Sequence, residues 1–218
     1  MMTRTFLIAC SLFWALLSAA QQKQSVNLLQ LQQSGRLQAV NRQWMPADTA
    51  HRGGVAFTEQ EGQGLAWIQG HSFTTGTIEV DLKGKDVLQR SFIGIAFQGV
   101  NDSTYEAVYF RPFNFRSTDS VRRIHAVQYI SHPQYTWERL RTERNAEFEK
   151  AVNPVPDPNG WFHARIQVRP SEVLVYVNES TTPSLRVPRL NPGKGQRIGL
   201  WTGSGSGGTF RNLTIAAE

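Results

Sequence analysis

Hydrophobic and polar positions alternate along much of this chain, most sharply between residues 75 and 116. Within Thr75–Leu82, Ile78, Val80 and Leu82 fall on one side, and Thr77, Glu79 and Asp81 on the other. In the stretch Ser91–Arg116, Ile93, Ile95 and Phe97 oppose Phe92, Gly94 and Ala96. After a short Asn101-Asp102-Ser103 turn, Val108 and Phe110 oppose Tyr105, Ala107, Tyr109 and Arg111. A period of two marks a strand with one face in a core. The opposite face of this hairpin lacks the usual charges. It combines small residues with Tyr and Arg, which predicts open space above the sheet lined by stacking and hydrogen-bonding groups.

Further strand patterns occur at 54–58, 65–69, 123–130, 161–168, 172–177, 196–202 and 208–216, separated by Gly, Pro, Asn and Asp. Many short strands and few helices predict a sandwich or barrel. No repeat of fixed period is present, and the Ser/Gly run Gly203–Gly208 reads as a loop before the last strand. Residues 135–152 break the pattern. Trp137, Leu140, Phe148, Ala151 and Val152 approach helical spacing, and the Pro-rich run from Asn153 to Pro158 stops any helix. This insertion is either a functional loop or a solvated covering helix of mixed charge.

The first twenty residues read as a signal peptide. Arg4 precedes an apolar run, Phe6–Leu17, too short to span a bilayer, and Ser18-Ala19-Ala20 supplies small residues for cleavage before Gln21. Residues 21–218 then form a single domain, a length that suits one β-sandwich with a self-sufficient core. Leu7-Ile8-Ala9-Cys10 resembles a lipoprotein cleavage box, but only six residues precede it. Cys10 is the sole cysteine, so the exported chain has no disulfide, thiol nucleophile or Cys-ligated zinc. That pattern favours a bacterial envelope protein, secreted or periplasmic, without a transmembrane segment. The net charge of +6 is spread among interleaved acids rather than gathered in basic runs, which argues against nucleic acid.

Candidate chemistry is sparse. Glu79 and Asp81 share one face of a strand, as two catalytic carboxylates would, and as any polar outward face would. Glu106 falls among core-facing neighbours, either as a general acid or as the partner of Arg111 or another arginine. His51, His71, His125, His132 and His163 show no metal-ligand spacing, so no metal is expected. His125 shares its face with Val127 and Tyr129 if its segment is a strand, and is a candidate for ligand contact or catalysis. No nucleophile elbow or phosphate loop is present. Of the tryptophans beyond the leader, Trp44, Trp67 and Trp161 read as packing residues. Trp137 and Trp201 lie where they can stack on sugar faces, with Arg111, Asn114 and Gln128 to donate and accept hydrogen bonds.

The order of segments is itself informative: Phe73-Thr-Thr-Gly-Thr-Ile-Glu-Val-Asp-Leu, Phe92-Ile-Gly-Ile-Ala-Phe, Tyr105-Glu-Ala-Val-Tyr-Phe-Arg-Pro, Trp161-Phe-His-Ala-Arg-Ile-Gln-Val, Ile198-Gly-Leu-Trp and Phe210-Arg-Asn-Leu-Thr-Ile. It resembles the concanavalin A-like lectin/glucanase superfamily, nearest to bacterial 3-keto-disaccharide hydrolase or laminin-G-like domains, over about Ala50–Ile215. The resemblance implies an all-β, two-sheet antiparallel jelly-roll sandwich, here with one short helical insertion, that binds on its concave face. Some members bind Ca²⁺ at the sandwich edge; no dense Asp/Asn cluster is found to fix it here, so no cofactor is expected, with Ca²⁺ at the sandwich edge as the alternative. Family-16 glycoside hydrolases carry Glu-x-Asp-x-x-Glu, whereas here the third position is Gly84. Likeness of fold does not establish catalysis.

The expected function is a secreted, lectin-like domain with a glycan or oligosaccharide as partner. Its ligand-binding candidates are Tyr109, Arg111, Asn114, His125, Gln128, Tyr129, Trp137, Arg141 and Trp201. A glycoside hydrolase-type enzyme using Glu106 or His125 beside Arg111 is the alternative, and an envelope protein-interaction module a third. Nothing in the sequence sets an oligomeric state.

Overall fold

The computed structural model describes residues 23–46, 53–193 and 195–218. The expected leader at 1–20, with Cys10, and His51 lie outside the described residues. Elements are numbered in chain order. One sheet runs β1 (Gln24–Val26), β14 (Gly208–Ala217), β5 (Gly76–Lys83), β10 (Phe162–Val168), β11 (Glu172–Val177) and β12 (Leu185–Pro188), with β3 (Gly54–Phe57) also paired to β14. The other runs β2 (Leu37–Val40), β4 (Gly64–Ile68), β13 (Arg197–Thr202), β6 (Ile93–Asn101), β7 (Thr104–Phe110), β8 (Val127–His132) and β9 (Glu149–Lys150). The described residues also hold four short helices: α1 (Leu28–Gln33), α2 (Pro112–Phe115), α3 (Ser120–Arg123) and α4 (Trp137–Glu143). Pairing is antiparallel throughout.

The core lies between the two sheets, as the alternation requires. In β5, Ile78, Val80 and Leu82 are sealed, while Thr77, Glu79 and Asp81 face outward and are partly exposed. Across the ladder Ile78 meets Ile166, and Leu82 meets Phe162. In the hairpin Ile93 lies opposite Phe110, Ile95 opposite Val108 and Phe97 opposite Glu106. Phe110 reaches Phe162 of the facing sheet at 5.0 Å between ring centres. Sealing each such side chain stabilises by about 1.5–3 kcal/mol.

Several elements differ from expectation. The segment 123–130 is not one strand. Asp119 Oδ1 accepts from the backbone of Val121 and Arg122, which caps α3, and β8 starts only at Val127. His125 therefore sits in a turn, not on a strand face. The insertion does hold a helix, α4, capped by Thr136 Oγ1 and anchored by the buried Leu140. It ends in β9, a two-residue strand that pairs with β8. Trp161 is not core: it is half-buried, with the Arg211 guanidinium 4.0 Å from its ring centre. Among the described residues no helix is long and apolar enough to cross a membrane.

Candidate functional site

The side of the second sheet turned away from the core is built on a strip of small residues. Gly94 lies between Trp201 of β13 and Tyr109 of β7. The strands carrying those two rings stand two spacings apart, about 9.6 Å. The ring centres are nevertheless 4.7 Å apart, so both lean inward over Gly94. A Cβ at Gly94 would meet Val108 O at 2.0 Å and Tyr109 Cβ at 2.7 Å, so only glycine fits. Trp201 Nε1 donates to Tyr105 Oη at 3.1 Å, and Tyr105 stacks on His132 at 5.2 Å. The space expected above the small residues is thus filled by their own aromatic neighbours. This corrects the open hollow: Tyr109 is 2% exposed and Arg111 4%. Neither lies between the sheets, because Ile95 and Val108 hold that side.

Beyond Tyr109 the face becomes polar. β7 ends at Phe110, and Pro112 opens α2, whose Phe113 and Phe115 are buried. Arg111, at the bend, extends under the insertion. Its Nη2 donates to Tyr109 Oη at 2.7 Å and to Gln128 Oε1, and its Nη1 donates to His125 O at 2.9 Å. Tyr109 Oη donates to Gln128 Oε1 at 2.6 Å, and Asn114 Nδ2 to His125 O at 3.3 Å. Glu149 arrives beside Gln128 through the β8–β9 pairing. Arg141, one turn into α4, grips Glu149 with two bonds, Nε to Oε1 at 3.0 Å and Nη2 to Oε2 at 2.8 Å. Arg111 Nη1 stands 3.4 Å from Glu149 Oε2. His125 Nδ1 is 2.8 Å from Glu149 Oε1, a charge contact that lacks hydrogen-bond geometry. Trp137 projects at the rim, 39% exposed, with the Arg141 guanidinium 5.1 Å from its ring centre.

These contacts tune the titrating groups. Burial works to raise the Glu149 carboxyl, but the hydrogen bonds from Arg141 and the charges of both arginines outweigh it and hold it below its ordinary range. The same bonds raise Arg141 against its own burial. Burial lowers His125, and Glu149 only partly offsets that. Burial pushes Tyr109 and Tyr105 up to about 12.

The structure therefore gathers Tyr109, Arg111, Asn114, His125, Gln128, Trp137, Arg141 and Trp201 on one side of one sheet. Tyr129 does not join them. It lies opposite Val108, so the pleat turns it into the core. There its hydroxyl donates to Glu106 Oε2 at 2.8 Å and accepts from Leu190 N at 3.1 Å. Glu106 is also on the core side, in an ion pair with Arg189 whose side chains are 2% and 3% exposed. Neither Glu106 nor Tyr129 shares a cleft with the others. Glu149 and Tyr105 also belong to this face, and no motif in the sequence marks either. Glu149 sits in a charged run, and only its two-residue pairing with β8 marks it.

Glu79 and Asp81 face outward on the first sheet. His163 Nδ1 is 2.8 Å from Asp81 Oδ1, Asn212 Nδ2 donates to Asp81 Oδ2 at 2.8 Å, and Lys23 pairs with Glu79. A cavity of about 380 Å³ opens at the sandwich edge beside His71, Gly99 and Arg197, and one of about 360 Å³ beside Met45, Lys83 and Gly208. Among the described residues no three His, Cys, Asp or Glu side chains are grouped so as to hold a metal ion.

No protein-family model matches the chain, and a search of curated protein sequences returned no match. Solved structures do match. The carbohydrate-binding module CBM66 from Bacillus subtilis aligns over 83% of this chain and 95% of its own, with 17% identity and a TM-score of 0.57. The VIP36 exoplasmic/lumenal domain, in its Ca²⁺/Man3GlcNAc-bound form, aligns over 80% of this chain and 81% of its own, at 11% identity and a TM-score of 0.52. A Bacillus subtilis protein with a galectin-like fold aligns over 83% and 88%, at 11% identity and 0.52. Likeness at these identities is likeness of fold: the chain is an all-β, two-sheet antiparallel jelly-roll sandwich.

Proposed function

We propose that this chain is an exported carbohydrate-binding domain that takes a glycan on the outer side of its second sheet, at the rim formed by Trp137, Arg141 and His125. The observation that carries this reading is the two-bond grip of Glu149 on Arg141 beside the exposed Trp137 ring. An exposed ring offers an apolar face to the C–H side of a sugar. A guanidinium already held in place donates to hydroxyls with little further ordering. Underneath, Tyr109, Arg111 and Glu149 are buried and hydrogen-bonded, so they fix the rim. The neighbours that are themselves a carbohydrate-binding module and a Man3GlcNAc-bound exoplasmic/lumenal domain fit this use of the fold.

The test is a glycan array probed with residues 21–218, followed by calorimetric titration of the best hit. Trp137→Ala should weaken binding roughly tenfold, about 1.4 kcal/mol, with little change in Tm, because the ring is exposed. Unchanged affinity in this variant, or an array without a hit, overturns the reading.

The contact between His125 and Glu149 favours a second reading, a glycoside hydrolase-type or 3-keto-disaccharide hydrolase-like enzyme with His125 as the base. A carboxylate 2.8 Å from an imidazole orients a base once the ring turns to donate to it, and this reading requires that turn on ligand binding. Turnover of the array hit that is lost in His125→Ala would establish it, and absence of turnover would dismiss it.

A further inference from the structure

We infer that the saccharide taken at this rim is anionic, carrying a carboxylate or sulfate; this rests on the reading that the rim takes a glycan. The rim carries more positive than negative charge. Glu149 is the one carboxylate buried in the cluster, and it is shared by Arg111, Arg141 and His125. Two fixed positive charges thus face one negative charge. Arg141 spends Nε and Nη2 on Glu149, which leaves Nη1 without a bond among the described residues, on a side chain 34% exposed. The neighbouring acids offset the surplus only in part. Glu143 is taken by Arg139 at 3.0 Å and Glu147 by Arg144, and Glu138, without an ion pair among the described residues, is a single exposed and solvated carboxylate. Arg122 bonds only to neutral oxygens, Asn114 Oδ1 at 3.3 Å and Phe113 O at 3.2 Å. Between residues 111 and 150 stand eight Arg and Lys against five Asp and Glu, so this stretch carries +3 of the chain's +6.

A neutral sugar would cover Arg141 and leave its surplus charge partly stripped of water. An acidic group on the sugar would meet the free Nη1 in a charge-assisted hydrogen bond, which is shorter and roughly twice as strong as a neutral one. Selection here comes from the penalty on the neutral competitor as much as from the gain on the acid.

The experiment titrates residues 21–218 with three probes at low and high salt: oligomers of galacturonic acid, the same oligomers as neutral methyl esters, and a heparin-derived oligosaccharide. At least one acidic probe should bind tenfold or more tighter than the esters, and the margin should shrink at high salt. Arg141→Gln should erase most of that margin, and Arg141→Lys should keep part of it. Trp137→Ala should lower acidic and neutral binding by the same factor. Tightest binding of heparin assigns the acid as sulfate, and of galacturonate as carboxylate. Equal binding of esters and acids, or a margin unchanged in Arg141→Gln, overturns this inference and leaves the carbohydrate reading standing. Failure of every glycan on the array overturns both.

Discussion

Glu106 gives the sharpest check on how the two sheets are joined. Its carboxylate meets the Nε and Nη2 of Arg189 and also accepts from Tyr129 Oη, with both charged side chains almost fully covered. Glu106→Gln keeps the size and removes the charge, leaving Arg189 buried without its counter-ion. Breaking a buried pair from one side costs about 3–5 kcal/mol. For a domain of this length each kcal/mol shifts Tm by about 2–4 °C, so a fall of roughly 6–20 °C is expected. Arg189→Met alone should cost a similar amount, since it strands Glu106. The double variant should lose less than the sum of the two, by 1 kcal/mol or more, because neither charge is then left alone. Urea unfolding of the four proteins, with m-values compared to exclude a change in the denatured state, measures this coupling. A loss under 1 kcal/mol in Glu106→Gln, or strict additivity, would refute the buried pair and return Glu106 to the list of free acids.

Two further outcomes follow from the geometry. Gly94→Ala drives a methyl group into Val108 O and Tyr109; it should destabilise by about 1–3 kcal/mol as an overpacking change and alter the near-UV circular dichroism of the Trp201–Tyr109 pair, and an unaltered spectrum with full stability would contradict the leaning rings. Acid should destabilise the fold in two stages, because His125 and His132 are lowered by burial and Glu149 is held low by its arginines. The unfolded chain binds those protons first, so the histidine contribution is complete above their ordinary 6.5 and is lost as pH falls below it. The Glu149 contribution is lost as pH falls below its ordinary 4.5. A Tm that is flat or rising from pH 7 to 5, or a His132→Gln variant with an undiminished upper stage, would count against this.

The sequence by itself determined the sidedness of the long strands. Ile78, Val80 and Leu82, and Ile93, Ile95 and Phe97, are core-facing as their alternation requires, because the pleat of an extended backbone is a local property that no distant contact alters. The hairpin register was not legible: between Phe97 and Asn101 a bulge shifts the pairing of β6 with β7, and alternation alone carries no sign of it. Short elements were not legible either: β1, β2, β9 and β12 are two to four residues long, too brief to show a period. What fills a face was also decided only by the tertiary structure. Gly94 announced room above the sheet, yet Trp201, 107 residues later in the chain, leans in to occupy it. Glu106 found Arg189 across the sandwich, and Glu149 drew Arg111, Arg141 and His125 together. Charge pairing and ring packing depend on which distant segments the sheets bring within a few ångströms, and local pattern carries no record of that distance.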